Sequence, residues 1–149
     1  MTGIDRSAIG SQSGPGAPAR LETAYPPRSA SAARMRRALR AYLSEQALDA
    51  TVVYDVVLAA DEAFINAVGH AEAADDPIRV TARVSESEAS VEIRDGGGGF
   101  AYRKADPSSA PDVLRTNGRG VFLMERLMDE VSVRSGRSGT VVRMVRRLA

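Results

Sequence analysis

The 149-residue chain contains no cysteine, which excludes disulfide bonds, thiolate metal sites and a cysteine nucleophile. It also lacks any apolar run near the roughly 20 residues that a membrane-spanning helix needs. Its formal net charge is only +1, so no overall field favours nucleic acid or an anionic membrane as a partner. No charged and then apolar signal pattern precedes the first strand, and we therefore expect a cytoplasmic protein without direct nucleic-acid or membrane partners.

What is present is typical of a single globular domain, with 44% hydrophobic and 26% charged residues. Residues 1–20 are the exception, because they are rich in Gly, Ser, Ala and Pro and show no periodicity. This composition predicts a disordered tail. The remaining residues, 21–149, are expected to form one domain.

Hydrophobic periodicity divides that domain into strands and helices. The predicted elements are, in chain order, a short edge strand at 21–25, helices at 29–46 and 51–71, strands at 78–85 and 89–95, a helix at 118–130, and strands at 130–135 and 140–148. The proline-bearing loop at about 99–117, between the strand at 89–95 and the helix at 118–130, is long enough to be typical of a lid or a binding loop. Strands that mostly form hairpins, with helices able to cover one face, predict an α+β two-layer sandwich with a mixed, mostly antiparallel sheet.

The second predicted helix carries three polar residues on one face. Glu62, Asn66 and His70 are spaced at i, i+4 and i+8 on a helix that is otherwise nearly apolar all round. Polar groups on such a face must be paired or must line a cavity. A glutamate can accept a proton from a nucleophile, and an asparagine oxygen can bind Mg²⁺. Such residues are more often solvent-facing, so this pattern alone leaves both interpretations open.

A run of four glycines follows the acid that ends the third predicted strand. Asp95, Gly97 and Gly99 have the spacing D-x-G-x-G, and Phe100 comes next. A carboxylate there can accept a hydrogen bond from an exocyclic amine such as that of adenine, and glycines allow the backbone to approach a ring closely. A dinucleotide-binding fingerprint fits the letters but not the context, because the residues that follow do not begin a helix.

A pair of glycines in the sequence "NGRG" lies at the start of the third predicted helix. Gly118 and Gly120 flank Arg119 there, and the free N–H groups at a helix N-terminus form a potential anion site. The same residues also suit an ordinary junction between a loop and a helix. Near the end of the chain, Thr140 follows a glycine, where its hydroxyl can bind a base or lie in a turn.

Taken in order and at these spacings, the motifs resemble the N, G1, G2 and G3 boxes of the GHKL ATPase superfamily, whose fold is the Bergerat ATP-binding fold. The resemblance covers about residues 21–149. Within it, "DEAFINAVGHA" is similar to the E-x-x-x-N-A-x-x-H-A form of anti-sigma factor serine kinases. "GRGVFLMERLMDEV" is similar to their G2 helix and the strand after it.

The resemblance implies a role for each polar residue of the helix and for the first glycine run. Glu62 would be the general base for an attacking hydroxyl, and Asn66 would bind the Mg²⁺ that bridges the phosphates of ATP. Asp95 would bind the adenine amine in a pocket that Gly97 and Gly99 shape.

The resemblance also assigns the later motifs. Gly118 and Gly120 would give the backbone room at the phosphates, and Arg119 would contact them. Thr140 would support the adenine, and residues 101–117 would form the ATP lid.

The function that the resemblance implies is an ATP-dependent protein serine/threonine kinase that is also an anti-sigma factor. It would phosphorylate an anti-sigma factor antagonist of the STAS type and sequester a sigma factor, and homodimers are common in the family. The alternative is a non-catalytic ATP-binding switch that binds its partner in a nucleotide-dependent way. Ala101, which stands where many relatives have aspartate, favours that alternative.

Two other classes are disfavoured. The catalytic domain of a two-component histidine kinase normally needs an adjoining helical segment with a phosphorylatable histidine, whereas the only histidine here, His70, lies in the helix of Glu62. A DNA-binding regulator is disfavoured because the charges are balanced and no basic recognition helix stands out beyond the arginine run at 34–40.

Overall fold

The computed structural model describes residues 20–70, 76–96, 119–136 and 139–148. Their elements in chain order are β1 (Arg20–Tyr25), α1 (Ser31–Ser44), α2 (Ala50–His70), β2 (Ile78–Val84), β3 (Glu88–Asp95), α3 (Arg119–Leu127), β4 (Glu130–Gly136) and β5 (Gly139–Arg147). Every predicted strand and helix is therefore present. The largest difference in bounds is at α3, which ends at Leu127 because the chain turns there into β4.

The five strands form one sheet in the order β1-β2-β3-β5-β4, with β1 at the predicted edge. All pairings between these strands are antiparallel, so the described sheet is wholly antiparallel where the sequence predicts a mixed, mostly antiparallel one. Alternation along the strands separates the two faces, as in β2, where Ile78 and Val80 are buried and Arg79 between them is exposed. Such alternation is typical of a sheet that packs on one face only.

The helices cover the inner face of this sheet, and α2 lies centrally among them, packed against α1, α3 and β3. The predicted α+β two-layer sandwich is therefore confirmed. The Phe64 ring of α2 is fully buried and meets the ring of Tyr25 edge-on, with the two centroids 5.8 Å apart. Among the helices of the described residues, none is long and apolar enough to span a membrane.

Helix α1 packs through a buried apolar face that includes Met35, Leu39 and Leu43. One of its arginines also reaches the neighbouring helix, because an Nη1 nitrogen of Arg36 lies 3.0 Å from an Oδ1 oxygen of Asp61. Both side chains are partly buried, so this pair is less screened by solvent than a surface ion pair. It joins α1 to the turn of α2 that carries Glu62.

Several predicted features lie outside the described residues. They are residues 1–19 of the predicted tail, the lid at 101–117 and the glycines Gly97, Gly99 and Gly118. Arg20, the last residue of the predicted tail, is instead the first residue of β1. The division of the chain into a tail and a domain at residue 20 therefore stays a prediction.

The core predicts the effect of a large-to-small substitution in α2. Phe64→Ala removes a fully buried ring and its contact with Tyr25, and we expect it to lower the free energy of unfolding by about 3–5 kcal/mol. Tyr54→Ala on the same helix is the control, because Tyr54 is 65% exposed and its truncation should change stability by less than about 0.5 kcal/mol. Urea unfolding followed by circular dichroism measures both, and equal losses in the two variants would contradict the placement of α2.

Candidate functional site

Helix α2 presents its polar residues towards the interior of the fold. Asn66 is buried, with only 6% of its surface exposed, and Glu62 one turn earlier is half-buried. The interpretation of these residues as ordinary solvent-facing positions therefore fails for Asn66. A buried carboxamide one turn from a carboxylate is an arrangement that can bind a cation and accept a proton at neighbouring points.

The surroundings of Glu62 favour its protonated form. Partial burial removes water from the carboxylate and raises the pKa of Glu62, and the negative charge of the adjacent Asp61 raises it further. Arg36 binds Asp61, so this second carboxylate is already paired. A carboxylate with a raised pKa is a stronger base than an ordinary glutamate, which suits a group that takes a proton during a reaction.

The second part of the site lies at one end of the sheet. Asp95 is the last residue of β3 and is buried, with 5% of its surface exposed. Thr140, also buried, lies directly opposite it on β5. The Thr140 hydroxyl is 3.0 Å from the hydroxyl of Ser135 on β4, so an acid and two hydroxyls form a polar row across three strands. This row can offer hydrogen-bond acceptors to a planar ligand with an amine edge.

Gly139 explains how β5 approaches β3 so closely at this end. Its φ is +122°, a conformation that residues with side chains rarely adopt. A Cβ atom on Gly139 would lie 1.9 Å from the carbonyl oxygen of Asp95, which is an impossible contact. The glycine is therefore required by the position of the Asp95 backbone as well as by its own φ.

His70 connects the helix to the end of the sheet. It is the last residue of α2, and burial lowers its pKa, while the charge of the Asp95 carboxylate opposes that effect. Helix α2 packs against β3, and the charge of Asp95 acts on His70, so the C-terminal end of α2 lies near the end of β3. The fold thus brings the two sequence motifs together, although 29 positions separate Asn66 from Asp95.

The third motif, the sequence "NGRG", is described through the backbone of its last two residues. Arg119 and Gly120 are the first two residues of α3, as the sequence predicts for an anion site at a helix N-terminus. Helix α3 packs against α2, the helix of Glu62 and Asn66.

Sequence reasoning missed Ser135. Its hydroxyl contributes to the site only because β4 pairs with β5 in a register that sets Ser135 opposite Thr140. A serine at the end of an alternating strand gives no signal of this kind by itself. The cue would have been the register of the final hairpin, which the short turn between the two strands determines.

The residues present suit a magnesium nucleotide. Asp95 and the two hydroxyls beside it fit the amine edge of adenine, and the Asn66 carboxamide offers a hard oxygen ligand. Within the described ranges, no group of three or more His, Cys, Asp or Glu residues could hold a metal ion. A cation at Asn66 would thus take most of its ligands from phosphates and water, as Mg²⁺ commonly does at nucleotide sites.

Comparison with known proteins identifies one family and several related proteins. Residues 25–146 match the family model described as the histidine kinase-like ATPase domain. The chain is also similar to proteins named serine-protein kinase RsbW, with 36% identity over 105 residues in Bacillus subtilis strain 168 and 33% over 104 residues in Staphylococcus aureus strain Newman. The alignment with the first covers 64% of this chain and 65% of the relative, and that with the second covers 63% and 65%. The chain thus spans about 65% of the length of these relatives.

One solved structure has the same fold. It is the crystal structure of the RsbU and RsbW domains of Rv1364c from Mycobacterium tuberculosis, which matches with a TM-score of 0.68 and 24% identity. The match covers 87% of this chain and 32% of the other. At this identity the match supports the fold alone.

The close approach of β5 to β3 predicts that alanine substitution lowers the stability at one glycine of the last hairpin and not at the other. Gly139→Ala forces a strained φ and a clash with Asp95, and we expect it to lower the free energy of unfolding by about 1–3 kcal/mol or more. Gly136→Ala is the control, because a Cβ there has no atom within 4 Å. Urea unfolding of both variants tests this, and a Gly139→Ala protein as stable as the control would contradict the described contact.

Proposed function

Because the chain belongs to the histidine kinase-like ATPase domain family, we propose that it is an ATP-dependent protein serine/threonine kinase and anti-sigma factor. It phosphorylates an anti-sigma factor antagonist, sequesters a sigma factor and so regulates transcription. The names of the RsbW relatives support the kinase part of this proposal.

The observation that carries the proposal is the pairing of Glu62 with Asn66. Glu62 is a partly buried carboxylate with a raised pKa, and it lies one turn from a buried carboxamide. A protein that only binds a nucleotide has no need of such a base beside its cation ligand. In the proposed step, the Glu62 carboxylate accepts the proton of a serine or threonine hydroxyl. The hydroxyl oxygen bonds to the γ-phosphorus as the bond from that phosphorus to the β,γ-bridging oxygen breaks, and ADP leaves.

The remaining site residues bind and orient ATP in this proposal. Asp95 accepts a hydrogen bond from the adenine amine, and Thr140, in contact with Ser135, supports the base. Gly97 and Gly99 shape the same pocket. Asn66 would bind Mg²⁺ through its side-chain oxygen, and the ion would supply positive charge beside the phosphates.

The start of α3 holds the phosphates. Gly118 and Gly120 leave room for them at the helix N-terminus, where free N–H groups face an anion, and Arg119 adds a positive charge.

The proposed partners are proteins. They are a sigma factor and a STAS-type antagonist that carries the acceptor hydroxyl, and a second copy of the chain is a further candidate. We propose that these interactions occur in the cytoplasm.

Substitution of Asp95, the acid proposed to bind the adenine amine, tests the nucleotide pocket. Asp95→Asn replaces an acceptor-only carboxylate by a neutral amide, and the loss of a hydrogen bond to a charged group costs about 1.5–3 kcal/mol. We therefore expect the Kd for ATP to rise by about 10- to 100-fold in isothermal titration calorimetry. Glu86→Gln, an exposed change in the turn between β2 and β3, should leave the Kd unchanged. Unaltered affinity in Asp95→Asn would remove the pocket assignment.

Substitution of the base tests the chemistry. Glu62→Gln keeps the shape of the side chain but cannot accept a proton, and we expect phosphorylation of a cognate antagonist to fall by about 10²–10⁴-fold while the Kd for ATP changes little. Glu125→Gln on the exposed side of α3 is the matched control. If the wild-type protein bound ATP and its partner but transferred no phosphate, the nucleotide-gated switch would replace the kinase.

The raised pKa of Glu62 also predicts the pH dependence of the same reaction. Because the carboxylate must be ionised to act as a base, kcat/KM should rise with pH through a pKa above the usual glutamate value of 4.5. The residual rate of Glu62→Gln should lack this acidic limb. An identical limb in that variant would assign the titration to another group.

A further inference from the structure

Arg146 joins three elements of the fold through one nitrogen atom. It lies on the inner face of β5, and its Nη1 donates to an Oδ2 oxygen of Asp55 at 2.7 Å and to the carbonyl oxygen of Leu127 at 3.1 Å. The side chains of Arg146 and Asp55 are only 22% and 19% exposed. An ion pair at this depth is held between packed elements and is less screened than one at the surface.

The partner of this arginine on α2 lies on the same side as the proposed active site. Asp55, Glu62 and Asn66 are spaced at i, i+7 and i+11. At 100° per residue, these positions fall within about 40° of one another around the helix axis. Arg146 therefore holds α2 by the face that carries the base and the cation ligand.

The other partner is the C-terminal end of α3. Leu127 is the last residue of that helix, where the dipole and the unpaired carbonyl groups favour a positive charge. Two more bonds fix the chain just after it, from the Asp129 N–H to the Val145 carbonyl at 2.8 Å and from the Arg147 N–H to the Asp129 carboxylate at 2.6 Å. The end of α3 is thus attached to β5 as well as to α2.

The opposite end of α3 begins at Arg119 and Gly120, which are proposed to bind phosphate. A helix of nine residues is about 13 Å long, so a tilt of about 5° around its fixed end moves the other end by about 1 Å. Displacements of that size at a reacting group can cost about 100-fold in rate. The attachment at Leu127 thus fixes where the N-terminal end of α3 lies, at a distance of about 13 Å.

We infer that Arg146 is a positioning residue of the nucleotide site, which fixes α3 relative to α2 so that the phosphate-binding helix N-terminus faces Asn66 and Glu62. This inference rests on the proposed function, because it assumes that ATP binds between these helices. It assigns Arg146 no contact with ATP.

The test compares ATP binding and phosphoryl transfer in a small set of variants of the whole chain. Arg146→Met removes the nitrogen but keeps most of the aliphatic stem, and Arg146→Lys supplies an ammonium that can make the same two bonds. Asp55→Asn, alone and combined with Arg146→Met, completes a double-mutant cycle. Arg143→Met is the control for loss of one positive charge from the same strand, since Arg143 lies on the open face of the sheet.

A further control separates positioning from a general loss of stability. Val80→Ala creates a cavity in the core between β2 and the helices and should lower the Tm without touching the Arg146 pair. All binding and rate measurements are made at a temperature where every variant is folded by circular dichroism.

The expected result is a roughly tenfold or greater rise in the Kd and KM for ATP in Arg146→Met, with partial recovery in Arg146→Lys. The double variant should lose no more affinity than the worse of its two single variants, because both remove the same attachment. Arg143→Met and Val80→Ala should bind ATP as the wild type does. An unchanged Kd and KM for ATP in Arg146→Met would overturn the inference. So would a loss of ATP affinity in Val80→Ala as large as that in Arg146→Met, if the two variants had the same Tm. Failure of the wild-type protein to bind ATP would instead overturn the proposed function.

Discussion

Helix α2 is apolar around almost its whole circumference, and its packing on the inner face of the sheet positions the polar residues Glu62, Asn66 and His70. Its buried side chains, Phe64 among them, hold it between α1, α3 and β3. Because the helix is fixed in this way, Asn66 is forced into the interior and Glu62 lies at its border. Burial of the apolar residues of this helix thus supplies the free energy that keeps Glu62 and Asn66 in a partly desolvated position.

The partial burial of Glu62 is a compromise between two demands. Complete burial would keep the carboxylate protonated and useless as a base near neutral pH, whereas full exposure would leave it a weak base. The fold removes part of the water from Glu62, which raises its pKa, and it pairs the neighbouring acid, Asp61, with Arg36 from α1. The ion pair between Arg36 and Asp61 thus joins the two helices beside Glu62.

A steric constraint applies where β3 ends and β5 begins. Asp95 and Thr140 lie opposite one another on β3 and β5, and the chain can bring them there only because Gly139 has no Cβ to meet the Asp95 carbonyl. His70, at the end of α2, lies within the electrostatic influence of Asp95. The proposed adenine end of the candidate site and its proposed phosphate end are thus linked by a single helix, with Asn66 one turn before His70.

Much of this could be predicted, because periodicity and motif spacing are local properties. The alternation of Ile78, Arg79 and Val80 identifies a strand with one buried face, and the helical spacing of Glu62 and Asn66 puts them on one side of α2. Other features could not be predicted in this way. Ser135 meets Thr140 only through strand register, and Arg146 meets Asp55 across 91 positions of sequence.

The sequence by itself determined which residue types occur at which spacing: an acid before glycines, a carboxylate one turn from a carboxamide, and glycines at a helix start. These are consequences of chain geometry over a few residues, and they suffice to identify the elements and the resemblance to an ATPase family. The tertiary structure alone decided that Asn66 is buried, that partial burial raises the pKa of Glu62, and that Arg146 ties two helices to a strand. The reason is that burial, desolvation and long-range ion pairs depend on which elements pack together, and packing is a property of the whole fold.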